Sequence, residues 1–195
     1  MKVAIIGAGL AGLSTAWNLL YLSQASISLD IYDPAPIGEG TSGIASGLLH
    51  PYTGTRAKLH WEGKRMMSET HALLTASSAY TESSSVISKG LIRPALTTQE
   101  RKDFQLTAQN HNDCEWWDRE KVQKHSPQIV LTKECEGALY LPLGLTIDVK
   151  KYLNGLLQSV LRLGGRLHPV ALTDPNILGQ YNRIVFANDV AADNW

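Results

Sequence analysis

Cysteine is scarce in this sequence: Cys114 and Cys135 are the only two in 195 residues, and they lack CxxC spacing. That excludes a disulfide framework and a cysteine-rich zinc site, and it suits ordinary reduced thiols in a cytosolic protein. Net charge is also missing. Eighteen Lys and Arg residues balance eighteen Asp and Glu, so no overall basic footprint marks a nucleic-acid backbone or an anionic membrane as partner. No unbroken apolar stretch reaches the length of a bilayer span, which predicts no membrane partner. The opening Met1-Lys2-Val3-Ala4-Ile5-Ile6-Gly7 superficially resembles a signal peptide, but glycines interrupt it at once and it reads as a buried strand. The six histidines form no HExxH pair, and Ser14, Ser42 and Ser46 stand in no GxSxG elbow, so neither metalloprotease nor serine-hydrolase chemistry is supported.

What is present is apolar material, 44% of the residues, enough for one sizeable domain or two small ones. Val3 to Ile6 is a continuous apolar run ending in glycine, as expected for a parallel strand covered on both faces. Leu10, Leu13, Trp17 and Leu20 then recur at helical spacing, predicting an amphipathic helix from Gly9 to Leu22. Ile27 to Asp33 alternates before Pro34 and completes a β-α-β unit. A long Gly/Ser/Thr/Pro-rich loop, Pro34 to Gly54, follows, and loops of this length tend to be functional or disordered. Further on, helix formers dominate from Arg56 to Tyr80, a strand is expected over Val86–Ala95, and a polar helix over Thr98–His111. Trp116 and Trp117 are placed before a short helix that ends at Pro127. A strand is expected at Gly137–Pro142, then a helix capped by Asp148 and ended by Gly164-Gly165, a weak strand near Arg166–Leu172, and a buried strand at Ile184–Ala187.

Gly7-Ala8-Gly9-Leu10-Ala11-Gly12 is a GxGxxG, a weak signal alone. Its setting strengthens it: an apolar strand precedes it, an amphipathic helix opens from it, and a second strand ends in a carboxylate. Gly7 permits the tight turn, Gly9 lets the backbone approach a pyrophosphate, and Gly12 allows close packing of helix on strand. The phosphates of a dinucleotide then meet the free N–H groups and positive end of the helix. Asp33, about twenty residues beyond, stands where an acid hydrogen-bonds ribose hydroxyls and disfavours the 2′-phosphate of NADP. Asp30 is a rival on the same strand, but Asp33 lies nearer its carboxyl end. Read blandly, the glycines make only a tight turn and Asp33 is a solvated strand-end residue.

The next segment, Gly40-Thr41-Ser42-Gly43-Ile44-Ala45-Ser46-Gly47-Leu48-Leu49-His50-Pro51, separates the dinucleotides. Together with the N-terminal unit it resembles the FAD-dependent oxidoreductases of the D-amino-acid oxidase type. These include glycine oxidase, sarcosine oxidase and the oxidase half of a bifunctional bacterial tRNA-modifying enzyme. The resemblance implies that Thr41 and Ser42 bind phosphate oxygens, that Ala45, Ser46, Gly47 and Leu48 offer backbone groups to the isoalloxazine, and that His50 lies near the ring, which makes it the candidate catalytic residue. Small residues let the main chain approach a flat ring, and hydroxyls donate to phosphate oxygens. By the same likeness Val170 or Leu172 falls near the adenine. At the turn after Ile184–Ala187 the family shows a small residue followed by glycine, where this sequence has Asn188-Asp189.

What the resemblance implies is an α/β protein: a discontinuous Rossmann-like FAD-binding domain, residues 1–55 and 146–195, with part of an α+β substrate domain, 56–145, inserted. It covers the N-terminal half of the family, whose members continue further. The implied activity is oxidation of a primary or secondary amine by hydride transfer to the flavin. The substrate is then an amino acid or a tRNA nucleoside bearing a carboxymethylamino group. Two other readings stay open: a non-catalytic nucleotide-binding fragment and an NAD-dependent dehydrogenase. Arg93 is a surface arginine by default, with a substrate carboxylate as its alternative partner. Substrate, electron acceptor and oligomeric state are not legible.

Overall fold

The computed structural model describes residues 1–24, 26–172 and 174–188, with the side chain of Pro175 left aside. In chain order the first elements are β1 (Lys2–Ile6), α1 (Leu10–Leu22), β2 (Ser28–Tyr32), a 3-10 turn (Thr41–Ile44), β3 (Leu48–Leu49), β4 (Tyr52–Thr53), β5 (Lys58–Leu59) and α2 (Gly63–Ser78). There follow β6 (Val86–Pro94), α3 (Thr98–Asn110), β7 (Glu115–Asp118), α4 (Arg119–His125), β8 (Gly137–Ile147), α5 (Val149–Arg162), β9 (Arg166–His168), α6 (Pro175–Leu178) and β10 (Arg183–Phe186). Two compact units share them: Met1–Ser46, His71–Ser85 and Asp148–Trp195 in one, Gly47–Thr70 and Val86–Ile147 in the other.

The first unit is α/β. Its sheet runs β10-β1-β2-β9, every pairing parallel. Alternation sorts the side chains. Val3, Ile5, Leu29 and Ile31 share one buried face, and α1 covers it with Leu13, Ala16 and Leu20. Tyr152, Leu153, Leu156 and Val160 recur at helical spacing along α5, which packs beside α1 with the Trp17 indole donating to Ser159 Oγ at 3.0 Å. Each buried leucine contributes roughly 2 kcal/mol. The opposite face carries Ala4, Ile6, Tyr32 and Leu172 in one cluster. Asp148 caps α5 by accepting from the Lys151 amide at 3.0 Å.

Packing assigns 47–55, 71–85 and 146–147 differently from the sequence expectation. Leu48 and Leu49 pair with Thr146 and Leu145 in the second unit's sheet. Residues 71–85 join the first unit because Ser77 donates to the Tyr152 carbonyl at 2.8 Å, and a Cβ on Gly155 would lie 2.4 Å from Ser77 Oγ.

The second unit is antiparallel. β8 is central, with β6 along one edge and β7 then β3 along the other. Its core gathers Tyr52, Phe104, Leu139 and Leu141, with a neighbouring cluster of Trp117, Val122, Cys135 and Ala138. Strand β8 runs past Pro142, where the sequence predicted its end. The ladder slips between Lys89 and Leu91, so Leu141 pairs Leu91 while Leu145 pairs Lys89. Pro142 sits in this bulge and removes no ladder bond. Trp116 and Trp117 form β7 itself. The helix predicted from Arg56 begins only at Gly63, after the β4–β5 ribbon. Among the described residues no helix is long and apolar enough to cross a membrane.

Candidate functional site

At the carboxyl ends of β1 and β2 the chain turns away and leaves a cavity of about 560 Å³, within the range of small-molecule sites. Ligands in open α/β sheets bind at this end. Gly7, Ala8, Gly9, Ala11, Asp33, Thr41 and Ser42 line the cavity, so seven of the predicted site residues come together within the first unit.

Gly7 and Gly12 take the turn and the close packing that their spacing predicts. Gly7 turns at φ +107°, a backbone that side chains rarely adopt, and a Cβ there would lie 2.6 Å from the Ala187 carbonyl oxygen. A Cβ on Gly12 would lie 1.9 Å from the Gly7 carbonyl oxygen, so α1 can seat against β1 only without one. Gly9, at φ −79° and ψ −167°, is ordinary extended backbone. What it lacks is room, since a Cβ would stand 2.7 Å from Ser42 Oγ.

Asp33 faces the helix start. Its Oδ2 accepts from the Ala8 amide at 2.7 Å and its Oδ1 from the Ala35 amide at 2.9 Å. A carboxylate offers about four lone-pair positions, so it keeps acceptor capacity for a diol. The helix end is less open than the sequence implied. Ser42 Oγ, in the 3-10 turn, accepts from the Leu10 amide at 3.1 Å. Among the described residues the Gly9 and Ala11 amides take no partner, and both residues line the cavity. Apolar side chains complete the lining: Ile6, Tyr32, Leu153 and Leu172. Unpaired amides at a positive helix end, a carboxylate beside them and an apolar wall fit the diphosphate, ribose and base of a dinucleotide.

Leu10 and Gly12 belong to the start of α1 but do not line the cavity, nor do Ala45 and Ser46. Val170 is half exposed, its amide bonded to the His168 carbonyl; of the two adenine candidates, Leu172 reaches the cavity and Val170 does not. Gly47, Leu48 and His50 fall in the second unit. Burial first, and the nearby Arg93 charge second, hold His50 below the ordinary imidazole pKa. Arg93 itself donates from Nη1 to the Tyr52 carbonyl at 2.7 Å and from Nη2 to the Gly54 carbonyl at 2.8 Å, pinning the β4–β5 ribbon. Trp117 is buried and stacked on Tyr140. Asp189 lies outside the described residues.

Two features escaped the sequence reading. Ala35, Pro36 and Ile37 line the cavity, and Asp33-Pro34-Ala35-Pro36 carries the signal: an Asp followed by prolines turns by bonding its own backbone two residues on. Asp30, weighed only as a ribose rival, is buried among Arg166, His168 and Tyr181, partners no local pattern could supply.

The family model for FAD dependent oxidoreductase matches residues 2–188. No curated protein matches the sequence. Among solved structures, glycine oxidase from Geobacillus kaustophilus is 21% identical with a TM-score of 0.71, over 86% of this chain and 46% of that one. Iminodiacetate oxidase from Chelativorans sp. is 18% identical, TM-score 0.63, over 85% of this chain and 46% of that one. L-proline dehydrogenase from P. horikoshii is 15% identical, TM-score 0.63, over 90% and 46%. At these identities the likeness is one of fold, and the chain spans under half the length of each neighbour. The parallel sheet, the glycine turn and a family match over nearly every residue agree: the chain belongs to the FAD-dependent oxidoreductases.

Proposed function

We propose that this chain holds FAD by its adenosine diphosphate half in the β1–β2 cavity and serves the oxidation of a primary or secondary amine of the amino-acid class. The supporting observation is the Asp33 carboxylate hydrogen-bonded to the Ala8 amide within the Gly7–Gly12 turn, both lining one cavity. In this reading the Gly9 and Ala11 amides and the positive end of α1 neutralise the diphosphate. Asp33 accepts from ribose hydroxyls and rejects a 2′-phosphate by charge. The Thr41 hydroxyl donates to a phosphate oxygen, and Leu153 and Leu172 exclude water from the base. Bound FAD supplies the hydride acceptor for the carbon next to the amine nitrogen. The substrate class rests on what the fold neighbours oxidise by name, glycine and iminodiacetate, and is an analogy at the level of fold. A carboxymethylamino group on a tRNA nucleoside is the same secondary-amine chemistry on a larger carrier. The two free, buried thiols, Cys114 and Cys135, support a reducing, cytosolic compartment.

The test is the visible spectrum of purified chain after addition of FAD, followed by peroxide release across a panel of amino acids and N-substituted glycines. A flavin spectrum retained through gel filtration, with amine-dependent peroxide, supports the reading. A colourless chain that leaves FAD in the flow-through defeats it, and nicotinamide-dependent turnover without flavin replaces it with a dehydrogenase.

A further inference from the structure

A carboxylate buried in the middle of a strand is costly unless it is paired and fully hydrogen-bonded. Asp30, in β2, has a side chain only 4% exposed. Its Oδ1 accepts from Arg166 Nε at 2.8 Å and lies 2.8 Å from His168 Nε2. Its Oδ2 accepts from Arg166 Nη2 and from the Tyr181 hydroxyl, each at 3.0 Å. Burial would raise its pKa, but the bonds from Arg166, His168 and Tyr181 and the Arg166 charge hold it well below the usual carboxylate range. It is therefore an anion at neutral pH, held by four contacts from three residues.

Two of those partners are the ends of β9, a three-residue edge strand paired only to β2 among the described residues. So short a strand makes few ladder bonds, and the Asp30 contacts fasten it by side chains. What β9 carries lies next to the cavity. The His168 carbonyl accepts from the Asp33 amide at 3.2 Å, the His168 ring stacks on Tyr32 at 4.6 Å, and Tyr32 lines the cavity. Three and four residues beyond His168, Ala171 and Leu172 form part of the wall.

We infer that Asp30, Arg166 and His168, none of which lines the cavity, are positioning residues for the dinucleotide site. They clamp β9 where the His168 carbonyl fixes the Asp33 backbone and where Leu172 closes the apolar wall. This rests on the dinucleotide reading of the cavity. A ligand-gripping carboxylate works only if its own backbone is held by packing and hydrogen bonds behind it, and here that support comes from the neighbouring edge strand.

The test uses the full chain and ADP as probe, in calorimetric titrations, with amide hydrogen exchange read residue by residue. His168→Leu removes the Nε2 contact to Asp30; His168→Gln loses the same ring stack but keeps a side-chain donor. The expected result is ADP binding about tenfold weaker in His168→Leu, with faster exchange at Asp33 while the β1 amides keep their protection, and both restored towards the parent in His168→Gln. Uniformly faster exchange in β1 and β2 would mean a role in global stability alone and would overturn the inference. So would His168→Leu with parental ADP affinity and parental Asp33 exchange. Parent chain that does not bind ADP at all would instead sink the dinucleotide reading, and the exchange at Asp33 would still decide whether β9 is clamped by Asp30. The His168 pair carries the test in place of a variant at buried Asp30, because His168 is 39% exposed.

Discussion

The Oδ2 of Asp33 lies 2.7 Å from the amide nitrogen of Ala8, which joins the acid ending β2 to the first turn after β1. The same carboxylate accepts from Ala35, so one side chain organises both loops at the cavity mouth. Asp33→Ala leaves two amides without their acceptor and, in the proposed reading, removes the sugar contact. ADP affinity should fall by about 2 kcal/mol, read by calorimetry. Asp33→Asn, which keeps one acceptor oxygen, should lose less. Equal affinity in all three proteins would mean that Asp33 only shapes the loop.

Gly9→Val should abolish dinucleotide binding with little effect on folding. Its backbone angles suit any residue, but the new side chain enters the cavity against Ser42 Oγ. Absorbance of retained flavin, set beside the thermal midpoint, separates the two effects. Normal flavin content in Gly9→Val would refute the assignment of the turn.

Gly12→Ala should fail differently. The added methyl meets the Gly7 carbonyl oxygen, a backbone atom that cannot swing aside, and overpacking of this kind costs about 3 kcal/mol. Urea unfolding should show a lowered midpoint even where ADP is absent.

Asp30 sets a pH dependence. Its pKa in the folded chain is depressed, so its contribution is complete above the unfolded carboxylate value and fades as pH falls towards the folded value. Asp30→Asn should be less stable by roughly 2 kcal/mol at pH 7, discounted because Arg166 is more than half exposed. The gap should begin to narrow below about pH 4 and shrink further as pH falls towards the folded value. Denaturant unfolding at stepped pH measures it; a gap that persists unchanged at acid pH would contradict the depressed pKa.

The glycine turn was legible in the sequence because two of its glycines answer needs that are local: a left-handed angle at Gly7, and a contact at Gly12 five residues from the carbonyl it touches; the crowding of Gly9 by Ser42 is not local. Asp148 as a cap was legible for the same reason. Asp30 was not. Its partners stand 136 to 151 positions further along the chain, and without the register of β2 on β9 a buried ion pair and an exposed aspartate read alike. Pro142 misled in the opposite sense: proline ends most interior strands, but a bulge opposite Gly90 gave it a place. Val170 and Leu172 lie two residues apart, and only the end of β9 at His168 decides which of them turns inwards.

The hydroxyl of Ser42 gives Leu10 an oxygen partner supplied by the chain itself. A guest arriving at α1 therefore meets a terminus already partly quenched. For the diphosphate proposed above, capture at Leu10 would be a trade of one oxygen for another, governed by the difference between two acceptors, whereas Gly9 and Ala11 would yield their full attraction. A single serine would thereby temper the hold of this helix end on that diphosphate.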